Sequence, residues 1–570
     1  MMKTTFSREG VTCMHGSRLA GKSNVRGKAV HDTSKPTFCL KVLVASLSGS
    51  LLLASSVVSA ESEVTQLTQG LLERVSFDVS AFSIQGDNPL SEAETRDAFE
   101  QYIGPNRGID DIENAADALE QAIKAKGLSF YRVSFPPQEL TDGVVDLLIK
   151  RYTIGNIEVV GNKHYSPENV KASLPVLQRG TSPSAKQIAQ SLRLANQNSG
   201  KRVRVTLAPG KTENEIDANV SVMDQSPVLF STWLNNTGTE VSGDYRVGVS
   251  AAHRNLFGRD HSASISFITS PEGIDDVQQF ALNYKMPFYR LGGSLNIIAV
   301  ESDVDSGTVG GVFDVAGRGE VFGLGYSQSL PSVDRYHQSV SLQLTDKLFD
   351  NDIQFQGNQV LEDVRSRPIA LTYSGAWSSE SGVDVRTSLG VSSNLSGGSF
   401  NNARSYGLSR VGASDDWQKY DLGVNVQYSK SDWIWSLATK FSVSSDRLIT
   451  GEQFAVGGTN SIRGMEEREL RGDEGYQLNF QAWAPEITKG LRPVAFVDYG
   501  SVENNLPIEG ELGSESVISA GVLFNWNPTD KISASASYGY LIDGIDSGDE
   551  LSEASRDGDS KVHFNLAYRF

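Results

Sequence analysis

Lys561-Val562-His563-Phe564-Asn565-Leu566-Ala567-Tyr568-Arg569-Phe570, the last ten residues of a 570-residue chain, alternate apolar side chains with polar or small ones and stop on an aromatic. Successive side chains of a strand point to opposite faces. Val562, Phe564, Leu566, Tyr568 and Phe570 therefore share one face, and His563, Asn565, Ala567 and Arg569 the other. One such strand fits any half-buried sheet. The alternation recurs, however, through residues 227–570. Phe280, Leu282, Tyr284 and Met286 interleave with Ala281, Asn283 and Lys285, and Leu422, Val424, Val426 and Tyr428 with Gly423, Asn425, Gln427 and Ser429. Ile532, Ala534, Ala536, Tyr538 and Tyr540 interleave with Ser533, Ser535, Ser537 and Gly539.

These 344 residues contain no apolar run long enough for a spanning helix. A soluble sandwich would bury the oily faces, whereas a membrane barrel turns them to lipid. Aromatics near strand ends, an absence of cysteine and long acidic connections such as 543–560 favour the barrel. Lipid cannot satisfy a free backbone edge, so a spanning sheet must close. Seventeen segments qualify as strands, and bacterial barrels favour even numbers. The weakest is 403–411, where the register that turns Tyr406 and Leu408 outward also sets Arg410 in lipid, at roughly 2–4 kcal/mol near mid-membrane. Read as a loop, it leaves sixteen strands at 21.5 residues per strand plus connection. The expected fold class is a membrane β-barrel of about 16 antiparallel strands. A passive porin shares that pattern.

The bulk composition narrows the function. The formal charge is −18, but residues 61–570 hold 43 basic and 67 acidic residues, a balance of −24. Nucleic-acid binding needs clustered positive charge to displace counterions, so no nucleic-acid partner is expected. Both cysteines, Cys13 and Cys39, fall in the first sixty residues, which leaves the rest no disulfide framework or thiolate metal site. His15, His31, His164, His253, His261, His337 and His563 show no ligand spacing. No metal, cofactor or catalytic residue is expected, and no G-x-S-x-G elbow stands out.

Residues 42–58 form an apolar run after Lys41, and Val58 and Ala60 are the small residues of a cleavage site. Five Ser and a Gly within it weaken a membrane-anchor reading, so 1–60 reads as a leader and secretory signal, with Met14 as an alternative start. The same leader carries Gly16-Ser17-Arg18-Leu19-Ala20-Gly21-Lys22-Ser23, a letter-for-letter phosphate-loop pattern. That pattern works only between a delivering strand and a receiving helix. Neither flank is present, and the reading is rejected.

Between residues 75 and 226, Ile84-Gln85-Gly86 followed by Ser91 recurs 75 residues later as Val159-Val160-Gly161 followed by Ser166. A period of that size means two copies of one small domain. In the first, 77–84 reads as a strand, and Ser91-x-x-Glu94 is a capping box opening a helix toward Ile103. A second helix runs from about Asp111 to Gly127 with Ile112, Ala116, Leu119 and Ile123 on one face. Strands follow at 129–135 and 144–150. In the second copy Ser166-Pro167 is cap and first helical residue, a helix surrounds Ile188 and Leu192, and strands follow at 202–207 and 215–222.

This β-α-α-β-β order resembles the POTRA domain. The linker Pro136-Pro137-Gln138-Glu139-Leu140-Thr141-Asp142-Gly143 resembles that of the first POTRA in two-partner secretion transporters. The expected domains are a leader and signal (1–60), a short segment (61–74), POTRA 1 (75–152), POTRA 2 (153–226) and the barrel (227–570). Such α+β domains, periplasmic in that family, present sheet edges to which an extended client adds itself through main-chain hydrogen bonds. A plain spacer is the alternative.

After the eleventh strand, 433–443, comes a connection of about thirty residues, 444–474. It contains Gly457-Gly458-Thr459-Asn460-Ser461-Ile462-Arg463-Gly464-Met465 and resembles the sixth extracellular loop of two-partner secretion (TpsB-type, haemolysin secretion/activation) transporters, whose hallmark is V-R-G-[FY]. Two strands later Phe496-Val497-Asp498-Tyr499-Gly500 resembles the family's F-x-D-x-G strand. In that alternation Val497 and Tyr499 face lipid while Phe496 and Asp498 face the lumen. A loop folded back inside would cover Phe496 and bring the Arg463 guanidinium to the Asp498 carboxylate. Gly457, Gly458 and Gly464 permit the tight backbone of its tip. Ile462 and Met465 depart from the family's Val and aromatic.

The resemblance implies a monomeric outer-membrane pore of a Gram-negative bacterium, exporting a large haemolysin- or adhesin-type exoprotein. It also implies that Phe570 ends the signal read by the barrel assembly machinery. Residues 61–74 are too few to plug a barrel and then reach the periplasm, as the plug helix and linker of family members do. A membrane-protein insertase of the same superfamily and a passive porin are the rival readings.

Overall fold

This computed structural model describes residues 76–138, 142–239, 242–274, 277–303, 308–309, 313–314, 318–350, 354–355, 358–359, 362–546 and 554–570. The leader and signal, both cysteines, the phosphate-loop pattern at 16–23, the segment 61–74 and linker residues 139–141 lie outside them.

Sixteen antiparallel strands, from Val228–Asn235 to Ser560–Arg569, close into a barrel. The eighth is broken at Arg367 into Val364–Ser366 and Pro368–Ser378, both paired with the seventh, Tyr336–Phe349. Connections at the end where the chain leaves the second small domain are short. Ser431 and Asp432, with φ of 49° and 67°, form a two-residue hairpin between Lys430 and Trp433. Those at the other end are long, as at 395–417 and 444–473. Outward faces are oily: Val562, Leu566 and Phe570 stand exposed while His563 is buried within. Trp433 and Trp435 stack near one rim, and Phe441 with Tyr476 near the other, as the two aromatic girdles of a spanning barrel. Among the described residues no helix is long and apolar enough to cross a membrane.

First and last strands meet over a short ladder, from Asn565 opposite Asn235 to Arg569 opposite Ser231. Beyond it the Asn236 side chain stands in for the missing strand, donating to the Val562 carbonyl at 2.7 Å and accepting from the Phe564 N–H at 2.8 Å.

Residues 403–411 are no strand, and Ala403–Ser409 is a short helix capped by Asn402. Tyr406 is buried with Trp417, Leu448 and Ile449 instead of facing lipid. Arg410, which lipid would have penalised, donates to Asp473 at 2.5 Å and Glu511 at 3.0 Å.

The first small domain has a three-stranded sheet, Ala81–Gly86 parallel to Val144–Arg151, with Tyr131–Ser134 antiparallel on its other side. The predicted strand 77–84 is broken at Ser80, because Ser76–Val79 pairs instead with Gly104–Gly108, an element the sequence reading lacked. Ser91 and Glu94 do form a capping box, but the helix Glu92–Phe99 gives way to a 3₁₀ turn before Ile103. The second helix, Ile109–Ala125, starts two residues before Asp111 and buries Ile112, Ala116, Leu119 and Ile123. The second domain repeats the order with Thr153–Val160, helices Pro167–Ala172 and Ala185–Ala195, and strands Lys201–Pro209 and Glu215–Asp224.

A buried polar joint ties this second domain to the barrel. Lys201 Nζ meets Asp260 Oδ2 at 2.6 Å with both side chains fully enclosed. Tyr289 donates to the same oxygen at 2.7 Å, and Asn169 and Asn198 donate to Oδ1 at 3.1 and 3.2 Å. Asp260 and Tyr289 lie on the turns after the second and fourth barrel strands, Arg246–Leu256 and Gln278–Phe288. Burial holds the Lys201 ammonium below the usual lysine range, although Asp260 opposes the shift.

Candidate functional site

Residues 444–473 link Trp433–Val443 to Glu474–Trp483 and turn back into the lumen, with Phe454–Val456 and Leu470–Gly472 paired as a small hairpin. The tip beyond the hairpin needs glycine. Gly457, Gly458 and Gly464 have φ of 120°, 91° and 109°, a region side chains disfavour. A Cβ on Gly457 would sit 2.4 Å from the Glu466 carbonyl oxygen.

Period-two alternation in Leu491–Glu503 turns Phe496 and Asp498 inward and Val497 outward, as expected from the sequence. The tip brings Arg463 onto both. Its Nε and Nη2 reach Asp498 Oδ2 and Oδ1 at 2.7 and 2.6 Å, and its backbone N–H adds a third bond at 3.2 Å. Asn479, opposite Asp498 on the next strand, donates to Oδ1 at 2.8 Å. The guanidinium carbon lies 3.5 Å over the Phe496 ring centroid, so the ring is covered and the cation gains a π face. Arg463 is 4% exposed and Asp498 fully enclosed.

The wall is shaped to admit the tip. Phe496, Gly521 and Gly539 lie side by side across three strands. A Cβ on Gly521 would lie 2.6 Å from the Phe496 ring, and one on Gly539 only 2.4 Å from the Arg463 carbonyl carbon. Gly464 N–H donates to His563 Nε2 at 3.3 Å on the last strand. Ile462 and Met465, the two departures from the family pattern, are both enclosed in an apolar cluster with Val456, Leu470, Val502 and Leu541. Met465 thus has an aliphatic setting that needs no aromatic. Gly500 leaves space for Ile462, whose side chain would stand 3.0 Å from a Cβ there.

Two further sets of contacts hold the loop nearer its base. Glu452 accepts both 2.9 Å bonds from Lys347 and is approached by Lys419 at 4.0 Å. At the outer rim Arg447 grips Glu511 with two 2.7 Å bonds, and Arg410 joins Asp473 and Glu511. Sequence reading missed Asn479, Gly521, Gly539, His563 and this rim. The inward parity of Asn479 and Gly539 was visible, but not which loop residue would meet them.

The linker residues serve a separate task. Pro136 and Pro137 have no N–H to continue the Tyr131–Ser134 ladder. The Gln138 side chain continues it, donating to the Asp146 carbonyl at 2.7 Å and accepting the Asp146 N–H at 2.6 Å. Asp142 and Gly143, at φ of 55° and 72°, present their carbonyls to Ser80, each at 2.8 Å. Among the described residues no group of His, Cys, Asp and Glu has metal-site geometry.

Comparisons with known proteins bear on this architecture. The haemolysin secretion/activation protein family ShlB/FhaC/HecB matches residues 214–523, and the ShlB-type POTRA domain matches 77–150. The outer membrane transporter CdiB of Escherichia coli O6:K15:H31 (strain 536 / UPEC) is 20% identical over 436 residues, covering 72% of this chain and 69% of its own. CdiB of Dickeya dadantii (strain 3937) is 23% identical over 432 residues, covering 71% and 72%. The solved structure of CdiB from Escherichia coli superposes with a TM-score of 0.71 over 89% of this chain and 93% of that one; at 17% identity the likeness is one of fold.

Proposed function

This chain belongs to the ShlB/FhaC/HecB haemolysin secretion/activation protein family, and from that premise we propose that it exports one large exoprotein, captured in the periplasm by its POTRA domains, to the cell surface. It is an outer-membrane transporter of the two-partner secretion type, with those domains in the periplasm. The observation that carries the export reading is the loop tip held in the lumen by side-chain contacts centred on the buried bidentate pair Arg463–Asp498. A plug secured by side chains, outside the strand ladder, is removable while the barrel stays closed. Deleting the gene should remove one large protein from the cell surface and leave it in the periplasm. An unchanged surface proteome would end the proposal.

Capture by strand addition has a specific obstacle here. The edge strand Tyr131–Ser134 flanks the helix Ile109–Ala125, and its Val133 N–H is already donated to Glu120 Oε2 at 3.1 Å. Burial pushes the Glu120 carboxyl up, but bonds from Lys124, Val133 and Arg132 outweigh it and hold the group below its ordinary range. An incoming strand must displace this carboxylate. Glu120→Ala should therefore raise crosslinking of unfolded client to the groove beside 112–126 by about three- to tenfold, the worth of one freed backbone hydrogen bond. Crosslinks mapping only to the barrel mouth, in both proteins, would make the domain a spacer.

Phe570 completes the outward series of the last strand, with Tyr568 edge-on at 4.8 Å and its own N–H donated to Phe230 at 3.0 Å. We assign it to recognition by the barrel assembly machinery. Its deletion should lower the amount of heat-modifiable barrel in the outer membrane; normal abundance and folding would refute the assignment.

A further inference from the structure

A cavity of about 830 Å³ lies inside the barrel along the seventh to eleventh strands, closed on its other side by the loop residues Gln453, Phe454, Ala455 and Arg468 and by Gln477. Small side chains such as Ser388 and Gly423 leave it open. Arg193, Arg386, Lys419, Lys440 and Arg468 stand round it, against the single carboxylate of Asp421. That sign is opposite to the −24 balance of residues 61–570.

The cations differ in what holds them. Lys419 reaches Glu452, but Arg386 and Lys440 have no ion-pair or hydrogen-bond partner among the described residues. They project from neighbouring parts of the wall, Arg386 opposite Asn425 and Lys440 opposite Gly423 on the shared strand Gln418–Lys430. Two unpaired cations on the strands that flank one shared strand give this part of the wall a positive field that favours an anionic group.

At its periplasmic end the cavity is lined by the second POTRA domain. Gln190 and Arg193 stand i, i+3 on the exposed face of the helix Ala185–Ala195, and Gln197 follows on the turn just past its cap Asn196, while Ile188, Leu194 and Ala195 are buried in the domain core. Arg193 also donates to Ser332 on a periplasmic turn of the barrel, and the Lys201–Asp260 joint fixes the domain in place. The polar stripe is continuous with the cation-lined wall.

We propose that Gln190, Arg193 and Gln197 form the sill over which the exported chain enters the barrel, and that Arg386 and Lys440 receive carboxylate-bearing stretches of it on the way through. This rests on the export reading and adds the route and the preferred charge of the cargo. Amide side chains pair with an extended backbone without regard to sequence. Solvated cations hold carboxylates weakly enough to release them, which conduction requires.

The test uses full-length protein with Cys13 and Cys39 replaced by Ser. Single cysteines at Gln190→Cys, Ser388→Cys and, on the exposed turn between Lys201–Pro209 and Glu215–Asp224 at the end of the second domain away from the Lys201–Asp260 joint, Lys211→Cys are labelled with a neutral maleimide in the presence of poly-L-glutamate or poly-L-lysine. Poly-glutamate should slow labelling at the first two positions about fivefold and leave Lys211→Cys unchanged; poly-lysine should slow none. Combining Arg193→Gln, Arg386→Gln and Lys440→Gln should abolish the protection. Equal slowing by both polymers, slowing at all three positions, or protection that survives the triple substitution would overturn the proposal. Export is judged separately by the surface proteome of the deletion strain. Loss of a surface protein with charge-indifferent labelling refutes the route alone; an intact surface with charge-selective labelling refutes export alone.

Discussion

Arg463→Ala and Asp498→Ala should each abolish most secretion, and the double mutant should be little worse than either single. Arg463 and Asp498 share two side-chain bonds of 2.7 and 2.6 Å in a setting that excludes water. Removing one partner leaves the other charge buried and uncompensated, typically at about 3–5 kcal/mol. Removing both takes away the penalty along with the bond, so the losses should not add. The strand ladder does not pass through this pair, and barrel abundance should stay near normal. Asn479 and the backbone N–H of Arg463 would still reach Asp498 in the Arg463 variant, so Asp498→Ala should be the more severe single change. Client secretion, heat-modifiability and protease sensitivity of 444–473 measure the three quantities. Additive losses, or full secretion from Arg463→Ala at normal abundance, would show that the tip is held by other contacts.

The second large effect is expected at the joint between POTRA 2 and the barrel. Lys201→Met keeps the length of the side chain but leaves Asp260 enclosed with only neutral donors, Tyr289, Asn169 and Asn198. The loss should again be about 3–5 kcal/mol, enough to free the domain from the turns after the second and fourth strands. Limited proteolysis should then cut near Ser226-Pro227, and secretion should fall while the heat-modifiable barrel persists. Lys201→Met combined with Asp260→Leu should recover part of the protease resistance, because a buried ion pair can be exchanged for apolar groups at little net cost. Wild-type resistance in Lys201→Met would mean that packing alone seats the domain.

The amino-acid sequence by itself determined the features that repeat over two to four residues. Alternation marked seventeen segments, cut to sixteen by the lipid cost of Arg410 and the even number of bacterial barrels, and set the outward faces, including Val497 against Phe496 and Asp498, because successive side chains of any strand oppose one another wherever it lies. Ser91 with Glu94, and Ser166 with Pro167, marked helix starts because a cap satisfies its own first turn. The Arg463–Asp498 pairing was also legible, from two motifs in the expected order and the inward parity of one carboxylate.

Tertiary structure alone decided what distant registers bring together. Gly521 and Gly539 admit the loop because their strands pair in register with Phe496, and no local pattern distinguishes them from other inward glycines. His563 meets Gly464 across 99 residues, and Lys201 meets Asp260 across 59. Arg410 looked costly only so long as its segment was imagined as a strand in lipid. With the helix Ala403–Ser409 folded at the rim, the same guanidinium is enclosed among Asp473, Glu511 and Asn504. A backbone period is a local property of the chain, whereas the partner of a buried charge depends on which elements closure of the sheet and folding of the loops place around it.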